Sequence, residues 1–130
     1  MYKRQELAGL TVAFVGDGAC NMGNSWLLAG ATAGMHVRVS SPDGYAPGPD
    51  MVEAAAVIAA KTGGSVGLEP DPVAAVTGAD VLVTDTWVSM GKEAEAAQRA
   101  EVFDAWRVTP ELVALAQPDA VVMHLSLIHI

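Results

Sequence analysis

A chain of 130 residues, 52% hydrophobic and 17% charged, suffices for one domain with one core and is too apolar to stay disordered. Its net charge of −8 excludes a general nucleic-acid binder, because holding a phosphate backbone needs clustered Lys and Arg. The single cysteine, Cys20, builds neither a disulfide framework nor a cysteine zinc site within one chain and fits a reducing cytosol, while no apolar run approaches the roughly 20 residues of a membrane span.

Taken in chain order, the basic start, Met1 to Glu6, lacks the apolar stretch of a signal peptide. Thr11 to Val15 is a short β-prone run that stops at Gly16. Asn24 to Ala33, rich in Leu and Ala, predicts a helix closed by Gly34. His36 to Ser40 reads as a second strand, and the prolines and glycines from Ser41 to Pro49 mark a loop. Asp50, with Glu53 three residues on, is placed to cap a helix ending near Thr62. Ser65 to Leu68 is a weak third strand. Asp71-Pro72 starts a short helix closed by Gly78, and Val81 to Thr84 is a fourth strand. Lys92 to Phe103 has helical character, Thr109-Pro110-Glu111 caps a helix reaching about Ala116, and Ala120 to His124 is a last strand.

Apolar strands alternating with helices predict an α/β fold, an open, doubly wound parallel sheet with helices on both faces. Ligands of such sheets bind outside the carboxyl ends of the strands. There the first candidate is Gly16-Asp17-Gly18, between a strand and a helix as a dinucleotide loop would be. Against that, position 21 carries Asn21 instead of a third glycine, and the second strand ends in Ser40-Ser41-Pro42 without the acidic residue that holds a ribose. The other reading is a polar loop for a small zwitterion. Asn21, Asn24 and Ser25 crowd a helix N-terminus, where exposed N–H groups and the helix dipole favour a carboxylate. Asn24 and Ser25 serve equally as simple caps. Asn21 lies ahead of the predicted helix start and is assigned to a ligand.

The second candidate is Thr84-Asp85-Thr86-Trp87-Val88-Ser89-Met90-Gly91. A carboxylate at a strand end, followed by a tight turn, presents an anion and several backbone N–H groups, the pairing that an amino acid's ammonium and carboxylate need. Asp85 capping a turn and Trp87 packing in the core explain the same residues. His124, at the end of the last strand, is a possible lining residue, although a lone strand-end histidine is more often structural. His36 and His129 carry no functional signal.

Together, the segment Gly16 to Ser25, then Gly34-Met35-His36-Val37, Pro42-Asp43-Gly44-Tyr45 and Thr84 to Gly91 closely resemble ornithine carbamoyltransferases, in order and in spacing, over about Leu7 to His124. The resemblance implies the Rossmann-like second domain of the aspartate/ornithine carbamoyltransferase fold. Its implied activity is attack of the ornithine δ-amine on the carbonyl carbon of carbamoyl phosphate, giving citrulline and phosphate, a step of arginine metabolism. It implies Asn21 beside the ornithine α-carboxylate, Asp85 on the α-ammonium, and Ser89 and Met90 completing the substrate site. No metal and no organic cofactor is implied. The implied partners are L-ornithine and, through a separate N-terminal domain, carbamoyl phosphate, in a cytoplasmic homotrimer with no nucleic acid and no membrane.

The sequence also departs from that family. Cys20 stands where a first asparagine is usual, and it reads as a small filler. After His124 the family continues His-Cys-Leu-Pro, whose cysteine touches the reacting nitrogen; here Leu125-Ser126-Leu127 follows. No catalytic residue is therefore assigned. The Ser-x-Arg-Thr and His-Pro-x-Gln elements of the carbamoyl-phosphate domain do not occur. The expectation is a partial ornithine-binding domain over residues 6–125, inactive alone, with residues 1–5 and 126–130 as unmatched, non-native ends. The alternatives are a nicotinamide-dinucleotide-binding domain of a dehydrogenase and a non-catalytic amino-acid-binding module.

Overall fold

The computed structural model describes residues 7–85, 94 and 96–124. Five strands, β1 (Thr11–Val15), β2 (His36–Ser40), β3 (Ser65–Leu68), β4 (Val81–Thr84) and β5 (Val121–His124), form one sheet in the order β3-β2-β1-β4-β5. All four pairings are parallel. The helices are α1 (Asn21–Thr32), α2 (Pro49–Thr62), α3 (Pro72–Val76), α4 (Ala96–Val102) and α5 (Pro110–Val113), with a 3-10 turn over Asp104–Trp106. The doubly wound α/β expectation is met.

Alternation along the strands divides the core into two layers. Val12 and Phe14 of β1, Val37 and Val39 of β2, and Val81 and Val83 of β4 pack with Leu27 and Ala31 of α1 and with Ala55 and Ala59 of α2. Ala13 and Val15 of β1 and Leu82 of β4 face the other way, onto Val76 of α3 and Leu112 of α5. Four consecutive β1 residues, Val12 to Val15, are fully buried, because helices cover both faces of that central strand.

Local chemistry sets most helix ends. Asp71 Oδ1 accepts the Val73 N–H at 3.0 Å, and Thr109 Oγ1 accepts the Leu112 N–H at 3.1 Å, as the sequence predicts. Three boundaries differ. Helix α1 begins at Asn21, one turn earlier than predicted, with Cys20 as its N-cap and no side-chain capping bond. Asp50 is not the cap of α2: Gly48 is, and Pro49 takes the first helical position, which suits its fixed φ. Asp50 sits in the first turn, where its charge still complements the dipole. Helix α5 ends at Val113 and continues only as a turn towards Ala116.

Gly30 brings α1 onto β2. A Cβ there would collide with Cγ2 of Val37, which is 1% exposed. Alanine would gain about 1 kcal/mol of helix propensity, but overpacking a filled core costs about 1–3 kcal/mol. Gly30→Ala is therefore expected to lower the urea midpoint; a raised midpoint would contradict the close approach of α1 to the sheet.

Candidate functional site

The strand order creates the candidate site. From β1 the chain winds outward through β2 to β3, then returns to place β4 on the other side of β1. The β1–α1 loop and the β4 exit therefore diverge to opposite faces, leaving a crevice at their carboxyl ends. Val12 to Phe14 of β1 pair with Val81 to Val83 of β4, and Thr84 Oγ1 donates to the Val15 carbonyl at 2.8 Å. The Gly16–Cys20 turn and Asp85 thus leave the sheet side by side. His124 is the register partner of Thr84, which brings it to the same edge, half-buried.

The first loop is held from three directions. Asp17 Oδ1 accepts the Ala19 N–H at 3.1 Å, an Asx-type turn. Asp17 Oδ2 accepts from Arg99 Nη1 of α4 at 2.8 Å, with the two side chains 7% and 10% exposed. Ser41 Oγ, just past β2, accepts the Gly18 N–H at 3.0 Å. The close approach that a dinucleotide loop assigns to its third glycine occurs at Gly23, where a Cβ would lie 2.5 Å from the Gly18 carbonyl oxygen. Removing one partner of a buried, hydrogen-bonded ion pair such as Asp17–Arg99 costs about 3–5 kcal/mol.

Arg99 carries a second contact. Its guanidinium carbon lies 5.1 Å from the centroid of the Tyr45 ring, and Tyr45 meets the fully buried Phe103 edge-to-face at 4.8 Å. Trp106 Nε1 donates to Ser40 Oγ at 3.1 Å, and Ser40 Oγ donates in turn to the Pro70 carbonyl at 3.2 Å. Both serine hydroxyls at the end of β2 are thus engaged within the protein, at the place where a dinucleotide domain offers its ribose carboxylate. A cavity of about 520 Å³ opens beyond them, between Val39, Pro42, Leu68, Pro70 and Trp106. It holds none of Asn21, Asp85 or His124.

Asn21 is exposed, and as the first residue of α1 it sits in the helix, not ahead of it. The expectation that Asn21 precedes the helix is thereby corrected, and its side chain belongs to the first turn of α1. Asn24 Oδ1 is buried and has no hydrogen-bond partner among the described residues, an arrangement that costs about 1–3 kcal/mol until a donor meets it. Ser25 is exposed. Ser89 and Met90, with Trp87 and Gly91, lie outside the described residues. Sequence reading assigned no role to Arg99 or Tyr45. The signal in the sequence is the Arg99–Phe103 spacing of one helical turn, together with the Pro42-Asp43-Gly44-Tyr45 element whose aromatic ring meets both side chains.

Cys20 sits among these groups, half-buried. Burial pushes its thiol above the ordinary cysteine range, the amides of Gly23 and Met22 pull the other way, and the carboxylates of Asp17 and Asp85 add to the rise. Among the described residues no group of three or more His, Cys, Asp or Glu side chains is placed to hold a metal ion, and no helix is long and apolar enough to cross a membrane.

Residues 8–126 match the family described as aspartate/ornithine carbamoyltransferase, Asp/Orn binding domain. The chain belongs to this family. It is 59% identical over 93% of its length to an ornithine carbamoyltransferase of Clavibacter michiganensis, and 53% identical over 94% to one of Leifsonia xyli. In each case it spans 39% of the relative. The solved ornithine carbamoyltransferase of Pyrococcus furiosus superposes with a TM-score of 0.86 at 43% identity, covering 94% of this chain and 39% of that one. The enzyme from Gloeobacter violaceus gives 0.82 at 36% identity, covering 93% and 39%. These matches lend no support to a dehydrogenase's dinucleotide domain.

The thiol makes the crevice measurable. Only the thiolate alkylates rapidly, so Cys20 is expected to react with iodoacetamide more slowly than free cysteine at pH 8, and faster as pH rises. Asp85→Asn removes one cause of the raised pKa and is expected to speed alkylation; an unchanged rate would separate Asp85 from the β1–α1 loop.

Proposed function

We propose that the chain is the ornithine-binding domain, over residues 6–125, of an enzyme that transfers the carbamoyl group of carbamoyl phosphate to L-ornithine. The observation that carries this reading is the placement of Asp85 beside the Asp17–Cys20 turn, at the β1–β4 crevice. The relatives' names support it. In this assignment Asp85 pairs with the α-ammonium of ornithine, Asn21 stands at the α-carboxylate by the α1 N-terminus, and Ser89 and Met90 complete the pocket, with His124 lining its edge. The orphaned Asn24 Oδ1 offers an acceptor to a donor entering the crevice.

The chemistry is nucleophilic addition and elimination. The neutral δ-amine attacks the carbonyl carbon, forming a C–N bond. The amine then loses a proton, which ends on the departing phosphate, and the C–O bond to phosphate breaks with its electron pair, leaving citrulline and hydrogen phosphate. The contribution of this domain is orientation: gripping both α-groups fixes where the δ-nitrogen points, and correct placement supplies a large part of such a barrier reduction. Carbamoyl phosphate binds through a further domain of a cytoplasmic, homotrimeric enzyme that uses no cofactor.

Two measurements test the reading. The 130-residue chain alone is expected to form no citrulline from ornithine and carbamoyl phosphate; turnover at an appreciable rate would refute the division of labour. In the full-length transferase, Asp85→Asn is expected to weaken ornithine binding by roughly 10- to 100-fold, the worth of a hydrogen bond to a charged group. Isothermal titration with ornithine reads this directly, and unchanged affinity would remove Asp85 from the substrate site.

A further inference from the structure

We propose that the cavity at the carboxyl ends of β2 and β3 binds a small organic cation, an ammonium group carried on a flat apolar body. The site is separate from the β1–β4 crevice and shares none of the residues assigned to ornithine. Its volume of about 520 Å³ falls within the range of small-molecule sites. Val39 of β2 and its register partner Leu68 of β3 form one wall. Val39 and Pro42 are buried, whereas Leu68 is left 45% exposed. A ligand with an apolar body would remove that leucine surface from water, which favours binding in proportion to the area covered.

The inner polar groups of the lining already have partners. Trp106 gives its only donor, Nε1–H, to Ser40 Oγ at 3.1 Å, so its half-buried ring offers the cavity an apolar surface on which another ring can stack. Ser41 Oγ accepts the Gly18 N–H at 3.0 Å. Orientation of a ligand therefore falls to two exposed carboxylates of the lining, Asp43 and Asp71. Asp43 has neither a hydrogen bond nor an ion pair to its side chain among the described residues. Asp71 spends Oδ1 on the Val73 N–H of its own helix. Glu69, whose Oε1 accepts the Asp71 N–H at 3.4 Å, adds a further negative charge beside the rim. None of the described lining residues is Lys, Arg or His, and Arg38 of β2 is turned to the Ala75 and Thr77 carbonyls. An apolar chamber with an anionic rim complements a cation, and it disfavours carboxylates and phosphates. Trp106 adds the attraction of an aromatic face for an ammonium.

Titration of the 130-residue chain, isotopically labelled at its tryptophan nitrogens, with phenethylammonium chloride at neutral pH tests the proposal. The Trp106 indole N–H resonance, assigned by its loss in Trp106→Phe, is expected to shift saturably with a Kd on the order of 1 mM, typical of a fragment-sized ligand. Phenethyl alcohol, neutral and of the same shape, is expected to bind several-fold more weakly, and phenylacetate more weakly still. Asp43→Asn and Asp71→Asn should each weaken the ammonium by roughly two- to fivefold, the worth of an exposed ion pair, and leave the alcohol unchanged. Asparagine still caps a helix, so Asp71→Asn preserves α3. Equal affinity for the three probes, or a preference for the ammonium that survives both substitutions together, would overturn the cation assignment. The absence of a saturable Trp106 shift with any probe would overturn the site. A Trp106 resonance that moves with protein concentration before any probe is added would give the cavity to a second copy of the chain and overturn the proposal likewise. If the Asn variants do not fold, the three probes on the unaltered chain decide.

Discussion

Burial of β1 on both faces is the constraint from which the rest of the structure follows. Its residues Val12 to Val15 are fully enclosed, so each face needs its own helical layer. Parallel strands reach successive positions only through crossovers, and crossovers have one preferred hand. Placing α1 and α2 over one face and α3 and α5 over the other therefore requires the chain to reverse its direction of travel across the sheet. The reversal falls between β1 and β4. The crevice at their carboxyl ends is thus a by-product of covering a two-sided sheet, and the residues that just leave it, Asp17 to Cys20 and Asp85, stand at its edge.

The groups in the crevice are sorted by what already holds them. Asp17 is satisfied from within the protein, by an amide and by a guanidinium. Burial, with the carboxylates of Asp17 and Asp85, raises the pKa of the Cys20 thiol at the start of α1, which makes it a slower nucleophile than an ordinary cysteine at the same pH. The amino end of α1 lacks a side-chain cap, and its Asn24 carries a buried acceptor without a partner among the described residues. A helix end left in that condition at the mouth of a crevice is costly unless something polar completes it, and the polar ends of an amino acid have the chemistry to do so.

The sequence revealed what depends on neighbours in the chain. All five strands were legible from short β-prone runs and the glycines and prolines around them, and so were the caps Asp71 and Thr109, whose bonds reach two or three residues ahead. The start of α1 was not legible, because the predicted signal was a capping side chain and Cys20 makes no such bond. The third-glycine test for a dinucleotide loop looked at Asn21, whereas close contact between loop and helix is made at Gly23. Arg99 was hidden for a different reason. Its partner Asp17 is 82 residues away in sequence, and within its own helix it reads as one more solvated charge. Only the return of the chain to β1 after β3, a property of the whole topology, brings the two together.

The charges also bear on which ligands the crevice favours. Carbamoyl phosphate is an anion whose negative charge must be met in the transition state. The described arginines have partners within the protein: Arg38 donates to the carbonyls of Ala75 and Thr77 at the end of α3, Arg99 to Asp17, and Arg107 to Asp104. Lys61 lies in the last turn of α2, towards the end of the sheet opposite the crevice. The crevice itself gathers the Asp17–Arg99 ion pair, Asp85 and a thiol whose pKa is raised by burial. That inventory suits an ammonium group better than a phosphate. The described arginines thus serve the fold, and what they leave at the crevice is a setting better matched to a cation than to an anion.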